Sequence, residues 1–231
     1  MFTRTEQLIG KEGLTRLQAE YVILFGVGGV GGWCAEALVR SGIQHLTIVD
    51  FDVIDKTNLN RQIVALQANI GLPKVEEMKQ RLLSINPAAD IVAINRRYTA
   101  ESATEFALSS FDYIIDAIDS VQDKAELILD ATSTDARLFS SMGAGRKIDA
   151  RQVRTAEFWK VQGCPLARAL RQRFKLLQRY PEKKFTCVYS PEISGEKGTL
   201  AHIVGTFGMN LAGLVIEDIL NKKCTPPIYM A

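Results

Sequence analysis

A short turn after an apolar run is rich in glycine, and Gly26, Gly28, Gly29 and Gly31 are its candidate ligand-binding residues. Three of them fit the pattern GxGxxG, in which glycines let the backbone approach a ligand and free amides at the following helix start face anionic phosphates. Asp50 ends the next apolar run, where an acidic side chain accepts hydrogen bonds from ribose hydroxyls, and Asp52 follows it. These residues predict a nucleotide site. On them alone, an NAD oxidoreductase or nucleotide-sensing protein is as good an interpretation as an ATP enzyme.

Polar side chains that suit phosphate groups follow the acidic pair. Arg61 offers a planar fork of donors and Lys74 a point charge. Asn60 and Gln62 add neutral donors for neighbouring oxygens. A lone basic residue is usually a solvated surface charge, but hydride transfer needs none of these groups. Their joint occurrence behind the glycine turn favours ATP as the nucleotide, with its phosphates taking part in the reaction.

Two further carboxylates stand in the sequence DAIDS, after another apolar run. The carboxyl ends of parallel strands form the ligand crevice of such sheets. Asp119 is the predicted Mg²⁺ ligand, because the ion must bridge phosphates and a carboxylate. For Asp116, a helix cap or a structural hydrogen bond is an equally good interpretation.

Apolar runs alternate with helical patterns along the chain. The alternation predicts a doubly wound, Rossmann-like α/β fold, with a mostly parallel sheet flanked by helices and an irregular basic C-terminal extension. Strands are predicted at residues 21–27, 45–51, 90–95, 112–118 and 137–142, and helices at 30–41, 73–85, 100–108 and 121–134. Further on, strands are expected at 153–159 and 185–190 and a basic helix at 164–178. Residues 199–220 predict a buried core helix, with a membrane segment as the alternative.

The 231 residues fit one domain, with a nucleotide-binding half at 1–143 and a basic segment plus C-terminal helix at 144–231. The hydrophobic fraction of 47% and charged fraction of 23% are typical of soluble globular proteins. The first residues, MFTRTEQLIGKEGL, lack the apolar core of a secretory signal, which predicts a cytoplasmic protein. The four cysteines, Cys34, Cys164, Cys187 and Cys224, are scattered without a CxxC pair, which disfavours a structural zinc site. The expected cytoplasmic compartment disfavours a disulfide framework.

The formal net charge of +2 conceals a basic segment at residues 146–184, where twelve Lys or Arg stand against three acidic residues. Such a local excess suits a polyanion such as RNA, because cations that neutralise phosphates release counterions; a merely solvated helix is the alternative. Aromatic residues within or beside the segment could stack on unpaired bases or pack in the core: Trp159, Phe174, Tyr180, Phe185 and Tyr189. His45 and His202 have no partner pattern and are predicted to be structural.

The ordered set GVGGVGG, VDFDVIDKTNLNRQ, GLPK and DAIDS resembles the ThiF/MoeB/HesA superfamily, the ubiquitin-activating-type adenylating enzymes. The resemblance covers residues 4–143. It implies that a carboxylate attacks the α-phosphate of ATP to give an acyl adenylate and pyrophosphate. It also implies a role for each motif residue: ribose binding by Asp50, phosphate contacts by Asn60, Arg61 and Lys74, and magnesium binding by Asp119.

Arg4, in RTEQLIG, is similar to the family's amino-terminal arginine, which reaches into the ATP site of the partner subunit. The similarity implies a homodimer. Relatives that serve ubiquitin-like or sulfur-carrier proteins commonly have paired CxxC zinc ligands, and this chain lacks them.

The basic second half resembles the branch of the superfamily that dehydrates threonylcarbamoyladenosine in tRNA. That resemblance implies adenylation of the threonyl carboxylate and attack from within the same side chain, which expels AMP and closes a ring. No catalytic cysteine is then needed, and Cys187 is expected to be a packing residue. The same branch implies a cysteine desulfurase and sulfur-acceptor system as further partners. The alternative is adenylation of the C-terminus of a carrier protein.

Overall fold

The chain forms one seven-stranded sheet in the computed structural model, which describes residues 1–193 and 195–222. In chain order the strands are β1 (Tyr21–Phe25), β2 (His45–Asp50), β3 (Asp90–Asn95), β4 (Tyr113–Asp116), β5 (Arg137–Ser141), β6 (Arg154–Glu157) and β7 (Thr186–Tyr189). The helices are α1 (Thr3–Ala19), α2 (Gly31–Ser41), α3 (Lys74–Ile85), α4 (Val121–Ser133), α5 (Pro165–Leu177) and α6 (Ala201–Asn221).

The sheet order is β3-β2-β1-β4-β5-β7-β6, and every pair is parallel except β6 with β7. The predicted doubly wound α/β fold is therefore confirmed. The strand order reverses at β1, whose Leu24 lies beside Ile48 of β2 on one side and Ile115 of β4 on the other. A crevice opens at the carboxyl ends of strands at such a switch point.

Side chains of β1 alternate between two hydrophobic cores, one on each face of the sheet. Val22 and Leu24 pack with residues of α2 and α6, whereas Ile23 and Phe25 pack with residues of α4 and α5. Since both faces of the sheet are covered, its central strands read as continuous apolar runs in the sequence. That is why these strands were readily predicted.

The predicted helix at residues 100–108 is wrong. The segment forms two short 3₁₀ turns, Ala103–Phe106 and Leu108–Ser110, separated by Ala107 in the left-handed region at φ 43°. Ser102 competes with helix formation, because its hydroxyl donates to the carbonyl of Arg97 at 2.8 Å and accepts from the amide of Thr99 at 2.9 Å. Helix α1 was not predicted, and it contains a kink at Gly10, where φ is 75°.

In the described ranges, α6 is the one helix long and apolar enough to cross a membrane. Its buried side chains, however, belong to the hydrophobic core that it shares with α2. A Cβ on Gly208 would lie 2.5 Å from the carbonyl oxygen of Val30 and 2.9 Å from the amide of Cys34, so the glycine permits close helix packing. This placement agrees with the prediction of a core helix. Cys34, Cys164 and Cys187 are free and buried, and Cys224 lies outside the described residues.

Candidate functional site

A cavity of about 590 Å³ opens at the carboxyl ends of β1, β2 and β4, at the switch point of the sheet. Nine of the residues predicted from sequence line it: Gly26, Gly28, Gly29, Asp50, Asp52, Arg61, Gln62, Lys74 and Asp119. The fold thus brings into one place residues that are far apart in the chain, and does so by parallel strand pairing.

The glycine turn is required by close backbone contacts. Gly26 has a φ of 88°, and a Cβ there would lie 2.8 Å from the carbonyl oxygen of Ala117. A Cβ on Gly31 would lie 1.7 Å from the carbonyl oxygen of Gly26, so Gly31 shapes the turn without lining the cavity. Gly28 has an open side: a Cβ there would meet only the Gln62 amide, at 3.7 Å. Backbone amides at the start of α2 can therefore approach an anionic ligand.

Asp50 is fixed by the backbone around it. Its carboxylate accepts from the amide of Val27 at 2.7 Å and from the amide of Asp52 at 2.9 Å. Burial raises the pKa of Asp50 above its ordinary value of 3.8, and the two backbone donors oppose the rise. Two fixed oxygens beside the glycine turn suit hydrogen bonds from neighbouring hydroxyls, such as those of a ribose.

Lys74 is a buried cation at the first position of α3. Its Nζ donates to the carboxylate of Asp52 at 2.7 Å, and Asp52 remains about half exposed. The carboxylate fixes the position of the lysine ammonium group. Binding an anion in the cavity would then cost little further side-chain entropy. We therefore assign Asp52 the positioning of Lys74 as well as a place in the cavity wall.

Arg61 and Gln62 present polar atoms to the cavity from the turn that precedes α3. Nη1 of Arg61 donates to the carbonyl of Thr57 at 2.8 Å and to Oδ1 of Asn60 at 3.0 Å, which leaves further donors of its guanidinium for a ligand. Oε1 of the buried Gln62 has no hydrogen-bond partner within the described part of the chain. A buried polar atom without a hydrogen-bond partner costs free energy, so a ligand in the cavity is expected to donate a hydrogen bond to Oε1.

Asn60 and Arg4 lie elsewhere. Asn60 is exposed and is not among the residues that line the cavity, although its amide donates to the carbonyl of Thr199 in the cavity wall at 3.0 Å; the phosphate contact inferred for it stays a prediction. Asn58, two residues earlier, is buried and lines the cavity. Arg4 is exposed on α1 and also lies outside the cavity wall, so a role within its own subunit's site is not supported.

The two carboxylates of DAIDS have different environments. Asp116 and Lys124 are both fully buried with 2.7 Å between them, and Asp116 also accepts from the hydroxyl of Ser140 at 2.7 Å. Nζ of Lys124 donates to the carbonyl of Ile118 at 2.9 Å and so fixes the residue before Asp119. Asp116 is therefore structural, whereas Asp119 lines the cavity.

A metal site made of protein ligands alone does not occur in the described ranges, where no group of three or more metal-ligating side chains is found. Asp119 supplies one carboxylate at the cavity wall. A single carboxylate would suit an ion that takes its other ligands from substrate phosphates and water, as Mg²⁺ usually does.

Sequence reasoning missed the residues that follow β3. Arg96, Arg97 and Tyr98 line the cavity, and Arg97 pairs with Asp123 at 2.9 Å while its guanidinium lies 5.4 Å from the ring centre of Phe51. The order of strands in the sheet would have indicated them. Strand β3 is the parallel neighbour of β2, so the carboxyl end of β3 lies beside Asp50. The other side of the cavity is lined by residues that follow β5, by the start of α5 and by a residue that follows β7: Met142, Gly143, Ala144, Gly145, Leu166 and Thr199.

Cys187 lies in the middle of the sheet, away from the cavity wall. It is buried in β7 beside Ser140 of β5 and Ala156 of β6, and burial raises the pKa of its thiol well above the ordinary value. A nucleophilic cysteine needs the thiolate form. The structure therefore agrees with the expectation that Cys187 packs the core.

The aromatic residues of the second half divide into two groups. Phe174, Phe185 and Tyr189 are buried and belong to the core, as one of the two interpretations expected. Trp159 and Tyr180 are 45% and 54% exposed, with ring centres 6.4 Å apart. Only this exposed pair remains available to a partner among the five.

Several known proteins are similar to this chain in sequence and structure. The tRNA threonylcarbamoyladenosine dehydratase of Bacillus subtilis is 41% identical over 174 residues, which cover 75% of this chain and 68% of that protein. The enzyme of the same name from Haemophilus influenzae is 32% identical over 241 residues, 94% of this chain and 92% of its own. The crystal structure of Escherichia coli TcdA in complex with ATP superposes with a TM-score of 0.89 at 33% identity, over 95% of this chain and 93% of that one. A model of the ThiF family matches residues 2–226, and the chain belongs to the ThiF family.

Proposed function

We propose that this chain is an ATP-dependent tRNA threonylcarbamoyladenosine dehydratase, which converts the nucleoside to its cyclic form. The observation that carries the proposal is the single cavity in which the glycine turn, Asp50, Arg61, Lys74 and Asp119 meet. It lies in a chain that matches dehydratases of this name over nearly its whole length.

The first step is adenylation. An oxygen of the threonyl carboxylate attacks the α-phosphorus of ATP, the bond to the β-phosphate oxygen breaks, and pyrophosphate leaves with the electron pair. Arg61 and the buried Lys74 both line the cavity, and in this proposal they balance the charge that develops on the phosphates. Asp50 orients the nucleotide through its ribose, so that the reacting atoms are held in line.

The second step closes the ring. A nucleophilic atom of the carbamoyl group in the same side chain attacks the acyl carbon and loses a proton, and AMP leaves with one former carboxylate oxygen. The nucleoside thereby loses the elements of one water. Because the nucleophile is internal, the step requires no cysteine, and the buried Cys187 agrees with this.

Mg²⁺ is the proposed metal, with Asp119 as its protein ligand and the phosphates of ATP supplying further oxygens. When bound, the ion would neutralise phosphate charge. The proposed assembly is a cytoplasmic homodimer in which Arg4 reaches the site of the partner subunit, which is compatible with its exposed position on α1. A cysteine desulfurase and its sulfur acceptor are proposed as further partners on the family resemblance alone.

The test is incubation of the full chain with ATP, Mg²⁺ and tRNA that carries threonylcarbamoyladenosine, followed by mass analysis of the nucleosides. We expect a loss of 18 Da, the mass of one water molecule, together with one AMP per converted nucleoside, and conversion at least about 100-fold slower with Arg61→Ala. Unchanged nucleoside in the presence of folded, ATP-binding protein would refute the proposal. Pyrophosphate exchange that depends on a small diglycine-ended protein would instead assign the chain to carrier-protein activation.

A further inference from the structure

We propose that the outer face of α5 binds the phosphate backbone of the RNA next to the nucleoside that enters the cavity. The inference rests on the RNA substrate proposed above and adds the surface that holds it. The basic segment at residues 146–184 was predicted as a whole to contact RNA, and the proposal limits that contact to a short row of side chains on one helix.

Helix α5 begins at the cavity. Leu166, its second residue, lines the cavity wall, and a Cβ on Gly143 would lie 3.6 Å from Cβ of Leu166. From there α5 packs along α4, with Ala167, Leu170 and Phe174 buried beneath it. A substrate that enters the cavity past Leu166 therefore lies next to the first turn of α5.

Six of the twelve basic side chains in this segment have hydrogen-bond or ion-pair partners within the protein. Arg171, for example, donates to the carbonyls of Phe158 and Val161 at 2.6 and 2.8 Å. Five further cations have partners in the protein: Lys147 with the carbonyl of Glu192, Arg151 with Asp149, Arg173 and Arg179 with Glu126, and Lys183 with Asp135. The charge of each of these six side chains is at least partly engaged, so they are less available to RNA than a cation without a partner.

Two cations of α5 face outward instead. Arg168 and Lys175 are exposed, and their side chains have no hydrogen bond or ion pair in the described part of the chain. Gln172 is exposed between them. They stand two helical turns apart, which is about 10 Å along the axis at 1.5 Å per residue. The helix contains four basic residues and no acidic one, so no anion on it competes for this row.

This chemistry fits nucleic acid phosphates. Cations on a rigid helix contact the backbone, position the RNA and do not read its sequence. A membrane surface fits less well, because a membrane-binding helix needs its apolar face free. The apolar face of α5 is instead buried against the core, and Leu176 is its one large exposed apolar side chain.

The test measures binding of fluorescently labelled tRNA to the full chain over a range of salt concentrations. We expect Arg168→Ala with Lys175→Ala to weaken binding about tenfold at low salt and to reduce the slope of log affinity against log salt by about 2. Arg168→Lys with Lys175→Arg, which keeps both charges, should retain most of the affinity. Lys11→Ala with Lys79→Ala, which also removes two positive charges but from α1 and α3, is the matched control and should bind like the unmodified chain.

An affinity and a salt slope equal to those of the control would overturn the inference, and so would a loss of affinity without a change of slope. Loss of binding to anionic vesicles but not to tRNA in the double variant would assign the row to a membrane and overturn it as well. If the unmodified chain converts tRNA while the double variant binds as it does, only this inference fails. If the unmodified chain neither binds nor converts tRNA, the proposed function itself fails.

Discussion

The side-chain amide of Asn60 lies 3.0 Å from the carbonyl oxygen of Thr199, to which it donates a hydrogen bond. Oδ1 of the same Asn60 accepts from Nη1 of Arg61 at 3.0 Å. Two hydrogen bonds thus connect the arginine assigned to the phosphates with Thr199, which lines the cavity on the side of β5 and β7, here called the far wall. Arg61 keeps its bond to the carbonyl of Thr57 when Asn60 is changed, so the change is expected to affect the far wall more than the nucleotide.

Asn60→Ala and Asn58→Ala should have different kinetic effects. Loss of the link to Thr199 loosens the far wall, so we expect Asn60→Ala to raise the KM for tRNA several-fold with little change in the KM for ATP. Asn58 lines the cavity directly, so Asn58→Ala should raise the KM for ATP. Steady-state measurement of both constants checks this, and equal effects of the two variants on the ATP constant would contradict it.

Arg61→Ala should lower the rate of AMP formation by about 100-fold or more, because it removes a fixed cation from the charge that develops on the phosphates. Arg61→Lys keeps the charge but loses the planar fork, so it should recover only part of the rate. Thermal unfolding is the control for folding, since the contacts of Arg61 with Thr57 and Asn60 are at least partly exposed. A nearly unchanged rate for Arg61→Ala would remove this residue from the mechanism.

Cys187→Ala should remain active in ring closure. The thiol is buried within the sheet and its raised pKa keeps it protonated, so only a packing loss of about 1 kcal/mol is expected. The measurements are nucleoside conversion and chemical denaturation. An inactive Cys187→Ala protein that still binds ATP would show that an acyl transfer to sulfur had been overlooked.

Lys124→Met should lower the free energy of unfolding by about 3 to 5 kcal/mol, because it leaves the carboxylate of Asp116 buried without its cation. Replacing Asp116 by Asn in the same protein removes the unpaired charge and should recover part of the loss. Urea denaturation of the two variants provides the comparison. A double variant less stable than Lys124→Met alone would argue against the buried pair as the source of the effect.

Glu36 should give the protein a pH-dependent stability. Burial favours the neutral acid, but hydrogen bonds from Arg81 and Arg40 outweigh it and hold the pKa of Glu36 below its ordinary value of 4.5. A lowered acid pKa stabilises the fold above pH 4.5, and this contribution is lost as the pH falls through the lowered value. The destabilisation by Glu36→Gln should be larger at pH 7 than at pH 3. An equal destabilisation at the two values would contradict the assignment.

The parts of the site that were predictable from sequence are those fixed by local backbone chemistry. Gly26 and Gly31 permit contacts that a Cβ would block, and Asp50 ends a strand, so residue type alone indicated their roles. Asn58 in the cavity wall was not predicted, because two asparagines two positions apart in an irregular turn cannot be distinguished without the hydrogen bonds of that turn. Arg97 was missed since its place depends on the pairing of β2 with β3, which no local pattern encodes.

The position of β1 between β2 and β4 has a consequence for synthesis on the ribosome. The amide of Tyr21 at the start of β1 bonds the carboxylate of Asp112 just before β4, across 91 residues of chain. Such non-local pairing slows folding, because the intervening chain must close into a loop before the contacts form. The floor of the cavity, from Gly26 to Asp119, is therefore completed only after β4 has emerged from the exit tunnel. A nascent chain that ends before β4 contains all the glycines of the motif, but the cavity that they line is not yet formed.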